Sequence, residues 1–231
     1  MENTTQGAAY AAALITSETR HAKLLHASGV RVEKPETYID ASIVRRPRLS
    51  VDLSAEYYQH LHDDDRAYQE NNWLISEEAQ ILKLSKGRSI AEIGCGNGQF
   101  TKLVADRIRK VFAFDWARSP SLTDLPENVR FIQGDIRKTD IPDVDVLCSA
   151  DVLEHFPPDD LPPLIAKFSA AAKAQHHIIA CYDDGHSHLT VMPPSGWLAL
   201  FWRFSSSSVI CNVECRRNNP KQIICTIATK S

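Results

Sequence analysis

Ser89-Ile90-Ala91-Glu92-Ile93-Gly94-Cys95-Gly96-Asn97-Gly98-Gln99-Phe100 is the stretch that decides the fold. Ile90, Ala91 and Ile93 make an apolar run of strand length, short enough for a strand buried on both faces of a parallel sheet. Three glycines at alternate positions follow, and they let the backbone turn tightly and approach a ligand with no side chain in the way. From Gln99 the apolar spacing becomes helical, with Phe100, Leu103, Val104 and Ile108 on one face. Strand, glycine loop and helix make one half of a doubly wound sheet, with the ligand at the carboxyl end of the strand.

Three later stretches extend the pattern. Val111 to Asp115 is a second strand that ends in an acid 21 residues beyond Gly94, a separation at which a carboxylate can accept hydrogen bonds from both hydroxyls of a ribose. Val129 to Ile136 reads as a third strand running through Gly134-Asp135. Asp143 to Ala150 is a fourth, continued by Asp151-Val152-Leu153-Glu154-His155. A dinucleotide loop, G-x-G-x-x-G, would need glycine at position 99, where the chain has Gln99, so a nicotinamide-dependent oxidoreductase is disfavoured. Gly94-x-Gly96-x-Gly98 preceded by Glu92, with the three stretches in this order and spacing, resembles instead the class I S-adenosylmethionine-dependent methyltransferases. The resemblance covers about residues 88–156 and extends more loosely to the C-terminus.

It implies an α/β fold: a Rossmann-like, seven-stranded, mostly parallel sheet with the last strand antiparallel, helices on both faces, and an N-terminal helical extension. Residues 1–72 would form that extension, a candidate cofactor lid, and residues 73–231 the methyltransferase domain. The implied cofactor is S-adenosyl-L-methionine, leaving as S-adenosyl-L-homocysteine. Its implied site comprises Glu92, Gly94, Cys95, Gly96, Asn97, Gly98, Asp115, Trp116, Asp135, Ile136, Ala150 and Asp151. Asp115 would hold the ribose, Asp135 the adenine, and Trp116 would pack on the adenine face.

At 231 residues the chain suits one domain with added elements. Lys plus Arg at 26 against Asp plus Glu at 29 gives a net charge of −3, so no nucleic-acid partner is expected. Arg45-Arg46-Pro47-Arg48 and Arg107-Ile108-Arg109-Lys110 read as solvated faces. The six cysteines contain no C-x-x-C pair, and Cys211 and Cys215, four apart on a strand, lack further zinc ligands, so they read as reduced. The chain shows neither a basic leader nor a run of about 18 apolar residues, which predicts a cytoplasmic protein with no membrane partner.

Upstream of the glycine loop, Ala8 to His26 reads as a helix, and Pro35 and Pro47 mark an extended connection that could serve as lid or dimer element. Residues 54–73 are dense in aromatic and polar groups. In methyltransferases that resemble this chain such a segment folds over the cofactor cleft, with Tyr57, Tyr58, Tyr68, Asn72 and Trp73 as lining; the alternative is a surface helix followed by the capped start of the next. His60, His62 and Asp63 to Asp65 read as a solvated acidic turn. Leu74 to Leu84 reads as a helix with Leu74, Ile75, Ala79, Leu82 and Leu84 toward the sheet. Downstream, a helix is expected to about Ala174, a fifth strand over His176 to Tyr182, and a polar loop from Asp183 to Thr190. A helix N-capped by Ser195 and a closing hairpin of Val209 to Glu214 and Ile223 to Ala228 complete the chain.

Methyl transfer from a sulfonium is an in-line displacement, to which a protein contributes alignment and exclusion of water. A base is needed only where the acceptor must lose a proton, and histidine suits that task. His188 is the first candidate catalytic residue, with His155 and His186 beside it. The many polar groups of the histidine loop and lid point to a small-molecule acceptor, a hydroxyl-bearing sugar or related metabolite, and to O-methylation. The alternative is a non-catalytic S-adenosylmethionine-binding partner or regulatory subunit. Asp151, Glu154, His155 and His186 or His188 also resemble the metal pattern of small-RNA 2′-O-methyltransferases, where a Glu stands in place of Asp151. That substitution and the acidic charge argue against such a centre, and no metal is expected.

Overall fold

The computed structural model of the protein describes residues 44–45 and 53–230; the helix expected over 8–26 and the connection beyond it lie outside the described residues. Seven strands form one mixed sheet. Its order is β4 (Val129–Gln133), β3 (Lys110–Asp115), β2 (Ser89–Ile93), β5 (Val144–Ala150), β6 (Ala172–Ala180), β9 (Ile223–Thr229) and β8 (Val209–Cys215). The strands from β4 to β6 run parallel, and β9 returns antiparallel to β8, as the closing hairpin predicts. Strand order reverses at β2, with β3 on one side and β5 on the other, and this is the switch point at which a doubly wound sheet opens to a ligand. A separate pair joins β1 (Val44–Arg45) to β7 (Thr190–Val191). No helix among the described residues is long and apolar enough to cross a membrane.

The chain divides into two compact units, one of residues 53–152 with 170–178, the other of 44–45, 153–169 and 179–230. In the first, Ile90, Ala91 and Ile93 of β2 and Val146, Leu147 and Cys148 of β5 are all buried, as expected for central strands covered on both faces. Helices α1 (Ala55–Asp64), α2 (Arg66–Glu70), α3 (Glu78–Ser85) and α4 (Gln99–Ala105) accompany them. Ser54 caps α1 by accepting the Tyr57 N–H at 3.2 Å, and Asp65 caps α2 by accepting the Tyr68 N–H at 3.0 Å.

The single helix expected over 74–84 is two pieces, a 3₁₀ turn at Trp73–Glu77 followed by α3. The Asn72 side chain accepts the Leu74 N–H at 3.1 Å and starts the tighter winding. That winding changes the inward face: Leu74 and Ile81 are buried, whereas Ile75 and Ala79 are exposed. Helix α4 likewise stops at Ala105, so Leu103 is 38% exposed and Ile108 is buried from the turn beyond the helix.

At the amino ends of the strands, Asp145 gathers three elements. Its carboxylate accepts the Ser89 hydroxyl at 2.7 Å and pairs with Lys173 at 2.9 Å and Arg88 at 3.0 Å, while its own N–H donates to Ser89 Oγ at 3.0 Å. Ser89 opens β2, and Asp145 and Lys173 are the second residues of β5 and β6.

Gly98 precedes α4 at φ +70°, and a Cβ there would run into the side chain of Leu122, which is fully buried. Left-handed backbone costs a non-glycine residue about 1–2 kcal/mol before any overlap is counted. Gly98→Ala is therefore expected to lower the melting temperature by roughly 5–10 °C, at about 2–4 °C per kcal/mol for a chain of this size. Differential scanning calorimetry reads it, and an unchanged transition would mean the loop relaxes freely.

Helix α5 (Leu161–Ala171) ends three residues before Ala174, because Ala172 and Ala174 are drawn into the β6 ladder, which ends at Ala180 and not at Tyr182. Helix α6 (Pro194–Phe204) takes Pro193 as its N-cap with no side-chain bond, so Ser195 lies inside the first turn and is not the cap. Trp197, Leu198 and Phe201 bury its apolar face.

Candidate active site

The glycine loop is pinned to the end of β3. Both the Gly94 and Cys95 N–H groups donate to the Phe114 carbonyl, at 2.8 and 2.9 Å. Gly94, Gly96 and Gly98 all have positive φ, at +68°, +53° and +70°. A Cβ on Gly94 would strike Val152, whereas one on Gly96 would meet nothing within 4 Å, so Gly96 marks the open side of the loop. The Asp115 carboxylate closes the arrangement: Oδ2 accepts the Gly96 N–H at 2.8 Å and Oδ1 accepts the Ala117 N–H at 3.2 Å. Each oxygen keeps lone-pair capacity for a further donor. Burial raises the Asp115 pKa, and the Gly96 N–H pulls it down.

Glu92 lies wholly inside β2. Burial pushes its pKa up to about 8, against the opposing effect of the Thr101 hydroxyl that hydrogen-bonds its carboxylate. The Cys95 side chain packs with Ala113 and Leu122, and burial drives its thiol pKa well up. Asn97 serves as a clamp: its amide donates to the carbonyls of Gln69 at 2.8 Å and Asn71 at 3.0 Å, and its Oδ1 accepts the Gln99 N–H at 3.0 Å.

Residues 54–72 thus sit against the loop. Gln59 also exchanges two hydrogen bonds of 3.0 Å with the backbone of Arg118. Tyr58 lies 6.2 Å from the half-buried Trp116 ring, and the Arg137 guanidinium sits 5.7 Å from the same ring. Asp135 is held by Arg137 through Nε at 2.9 Å and Nη2 at 2.8 Å, so a ligand there meets an ion pair and not a lone carboxylate. Ile136 is buried. Asp151 has φ +53° and its N–H donates to Ile178 O at 3.1 Å, which fixes the backbone after Ala150.

His62 departs from the solvated turn expected of its neighbourhood. It is fully buried, with its ring edge-on to Tyr68 at 4.9 Å, and neither ring nitrogen has a hydrogen-bond partner among the described residues. Burial lowers its pKa, and the nearby Asp115 charge raises it. The signal for it was the spacing of Tyr58 and His62, four apart on one face of α1. His60, on another face, is exposed and lies 3.9 Å from Asp64.

The second unit brings two of the three candidate catalytic histidines together. His155 and His188 have ring centroids 5.2 Å apart, and His188 is equally close to Tyr182. Asp184 shapes their loop by accepting the N–H groups of His186 and Ser187 at 2.8 Å and His188 at 3.0 Å. Burial works to raise its pKa, but the Ser187 hydroxyl, at 2.6 Å, and those N–H groups hold its carboxyl well below the usual carboxylate range. His188 is buried and His155 half-buried, whereas His186 is exposed. Glu154, fully buried, accepts the Ala180 N–H at 2.9 Å. Glu154, His155 and His188, among which no metal was expected, offer ligand atoms all within 4.8 Å of one another.

Residues 90–175 match the family model of a methyltransferase domain. A comparison with curated protein sequences gives no match. Among solved structures, 1,6-didemethyltoxoflavin-N1-methyltransferase of Burkholderia thailandensis, with bound 1,6-didemethyltoxoflavin and S-adenosylhomocysteine, is similar at a TM-score of 0.63 and 18% identity, with 81% of this chain and 93% of that chain covered. Magnesium protoporphyrin IX methyltransferase of Synechocystis PCC 6803, with bound S-adenosylmethionine, gives 0.59 and 13% identity over 81% and 100% of the two chains. The N-methyltransferase NodS of Bradyrhizobium japonicum WM9, in complex with S-adenosylhomocysteine, gives 0.58 and 13% over 76% and 97%. Residues 90–175 thus match a methyltransferase-domain model, and the described chain has the Rossmann-like fold of these solved structures.

Proposed function

We propose that the protein transfers a methyl group from S-adenosylmethionine to a hydroxyl of a small polar acceptor, a sugar or related metabolite. The observation that carries the cofactor half is the buried Asp115 carboxylate beside the open face of Gly96, with one hydrogen bond already fixed on each oxygen. Two oxygens so oriented suit the vicinal hydroxyls of a ribose. Trp116, with Arg137 close to its ring, offers a flat surface for adenine, and residues 54–72, tied down through Asn97 and Gln59, act as the cover. His62, buried beside Asp115, joins the cofactor-binding set.

The acceptor half rests on His155 and His188. Each ring directs Nδ1 at a backbone carbonyl, which fixes its tautomer and its aim. His186, exposed on the same loop, is a contact for acceptor and not a base. The reading is tested by incubating the protein with S-adenosylmethionine and defined pools of sugars and other hydroxylated metabolites, with S-adenosylhomocysteine and the methylated product followed by mass spectrometry. An O-methylated product is expected. Turnover confined to amine acceptors would overturn the O-methylation assignment, and cofactor binding without turnover would favour a non-catalytic role.

A further inference from the structure

Glu154, His155 and His188 converge in a way that a packing role does not require. Their ligand atoms lie within 4.8 Å of one another, and donors bound to one zinc-like ion at about 2.0–2.2 Å stand about 3–4 Å apart. Binding an ion would bring them about 1 Å closer. Both imidazoles are already oriented by backbone: His155 Nδ1 donates to Ser187 O at 3.1 Å, and His188 Nδ1 donates to Tyr182 O at 2.6 Å. A carbonyl oxygen only accepts, so each ring carries its proton on Nδ1 and a lone pair on Nε2. A carbonyl behind Nδ1 is the arrangement that fixes the tautomer and aim of metal-binding histidines.

The carboxylates complete the environment. Glu154 has one oxygen fixed by the Ala180 N–H at 2.9 Å, deep in the unit, so its direction is set before any ion arrives. Asp184 holds the loop that carries His188, through the backbone N–H groups of residues 186, 187 and 188, and its Oδ2 lies 4.0 Å from His188 Nε2. It adds negative field at the cluster. A preformed loop of this kind leaves little to assemble on binding.

We propose that Glu154, His155 and His188 bind one divalent first-row transition ion of the zinc or cobalt kind, through the two Nε2 atoms and a Glu154 carboxylate oxygen. Two imidazoles and one carboxylate suit such ions better than the all-oxygen shells preferred by magnesium and calcium. Three protein ligands leave a coordination position open to an oxygen of water or of a bound molecule, whose proton the ion would acidify. That this oxygen belongs to a methyl acceptor rests on the function proposed above; ion binding itself does not.

The test uses the full chain stripped with a chelator and titrated with Co²⁺, read by visible absorption, and with Zn²⁺, read by calorimetry. One ion per chain is expected, with Zn²⁺ displacing Co²⁺. His188→Asn and His155→Asn keep a donor near the Nδ1 position and remove Nε2, and Glu154→Gln keeps an acceptor for the Ala180 N–H. Each is expected to weaken binding by at least ~100-fold, beyond the 10–100-fold typical of losing an outer partner. Circular dichroism melts identify which of the three remain folded, and those carry the comparison. Failure of the wild type to take up either ion, full uptake by a folded variant, or a thiolate charge-transfer band placing Co²⁺ on cysteine would each overturn the proposal. S-adenosylhomocysteine binding by the stripped protein is measured separately, so a failed cofactor reading and a failed metal site give different results.

Discussion

Replacing Asp115 with alanine is expected to weaken S-adenosylhomocysteine binding by at least ~100-fold in titration calorimetry. The carboxylate has one backbone N–H on each oxygen, from Gly96 and Ala117, and it is buried. Hydrogen bonds to a charged group contribute about 1.5–3 kcal/mol each, so two ribose hydroxyls account for roughly 3 kcal/mol or more. The variant also frees the Gly96 N–H and loosens the open side of the loop. Asp115→Asn separates the two effects, since it preserves volume and turns one acceptor into a donor that must face an N–H or a ribose hydroxyl. Comparable affinity in wild type and both variants would remove Asp115 from the cofactor site.

Glu92→Gln should stabilise the ligand-free protein at pH 8, although it alters a residue at the heart of the sheet. In the folded chain the Glu92 pKa is pushed up to about 8 from its ordinary 4.5. Below pH 4.5 folded and unfolded chains are both protonated at this residue. As pH rises from there, the unfolded chain ionises while the folded one keeps its proton, so stability falls until about pH 8 and then levels. At about 1.36 kcal/mol per pKa unit the loss is on the order of 3–5 kcal/mol. Glutamine never ionises and escapes it. Urea unfolding of both proteins at pH 5 and pH 8 reads the effect: the variant's advantage should be small at the lower pH and large at the higher. A wild type equally stable at both values would show that Glu92 stays ionised in the fold.

The parts legible in the sequence were those written in short-range pattern. Ile90, Ala91 and Ile93 followed by alternate glycines could hardly serve any element but a buried strand running into a tight loop, and Asp115 was singled out by its distance from Gly94. Boundaries set by tertiary pairing were less legible. Ala172 and Ala174 suit helix or strand equally, and the β5 ladder decides for strand. The 3₁₀ turn at Trp73–Glu77 depends on one side-chain bond from Asn72, which apolar spacing does not record. Within the candidate site, Asn97 is marked by its place between two loop glycines, but its bonds to Gln69 and Asn71, more than 25 positions back, leave no short-range signal. His62 was hidden by the acidic residues that follow it, although its own side chain turns inward.

The ionic knot of Asp145 with Ser89, Arg88 and Lys173 fastens β2, β5 and β6 at the ends remote from the glycine loop. Cohesion of these strands is thereby invested away from the loops that follow Ile93, Asp115 and Ala150. Over evolutionary time those loops can change length and character while the strands stay in register.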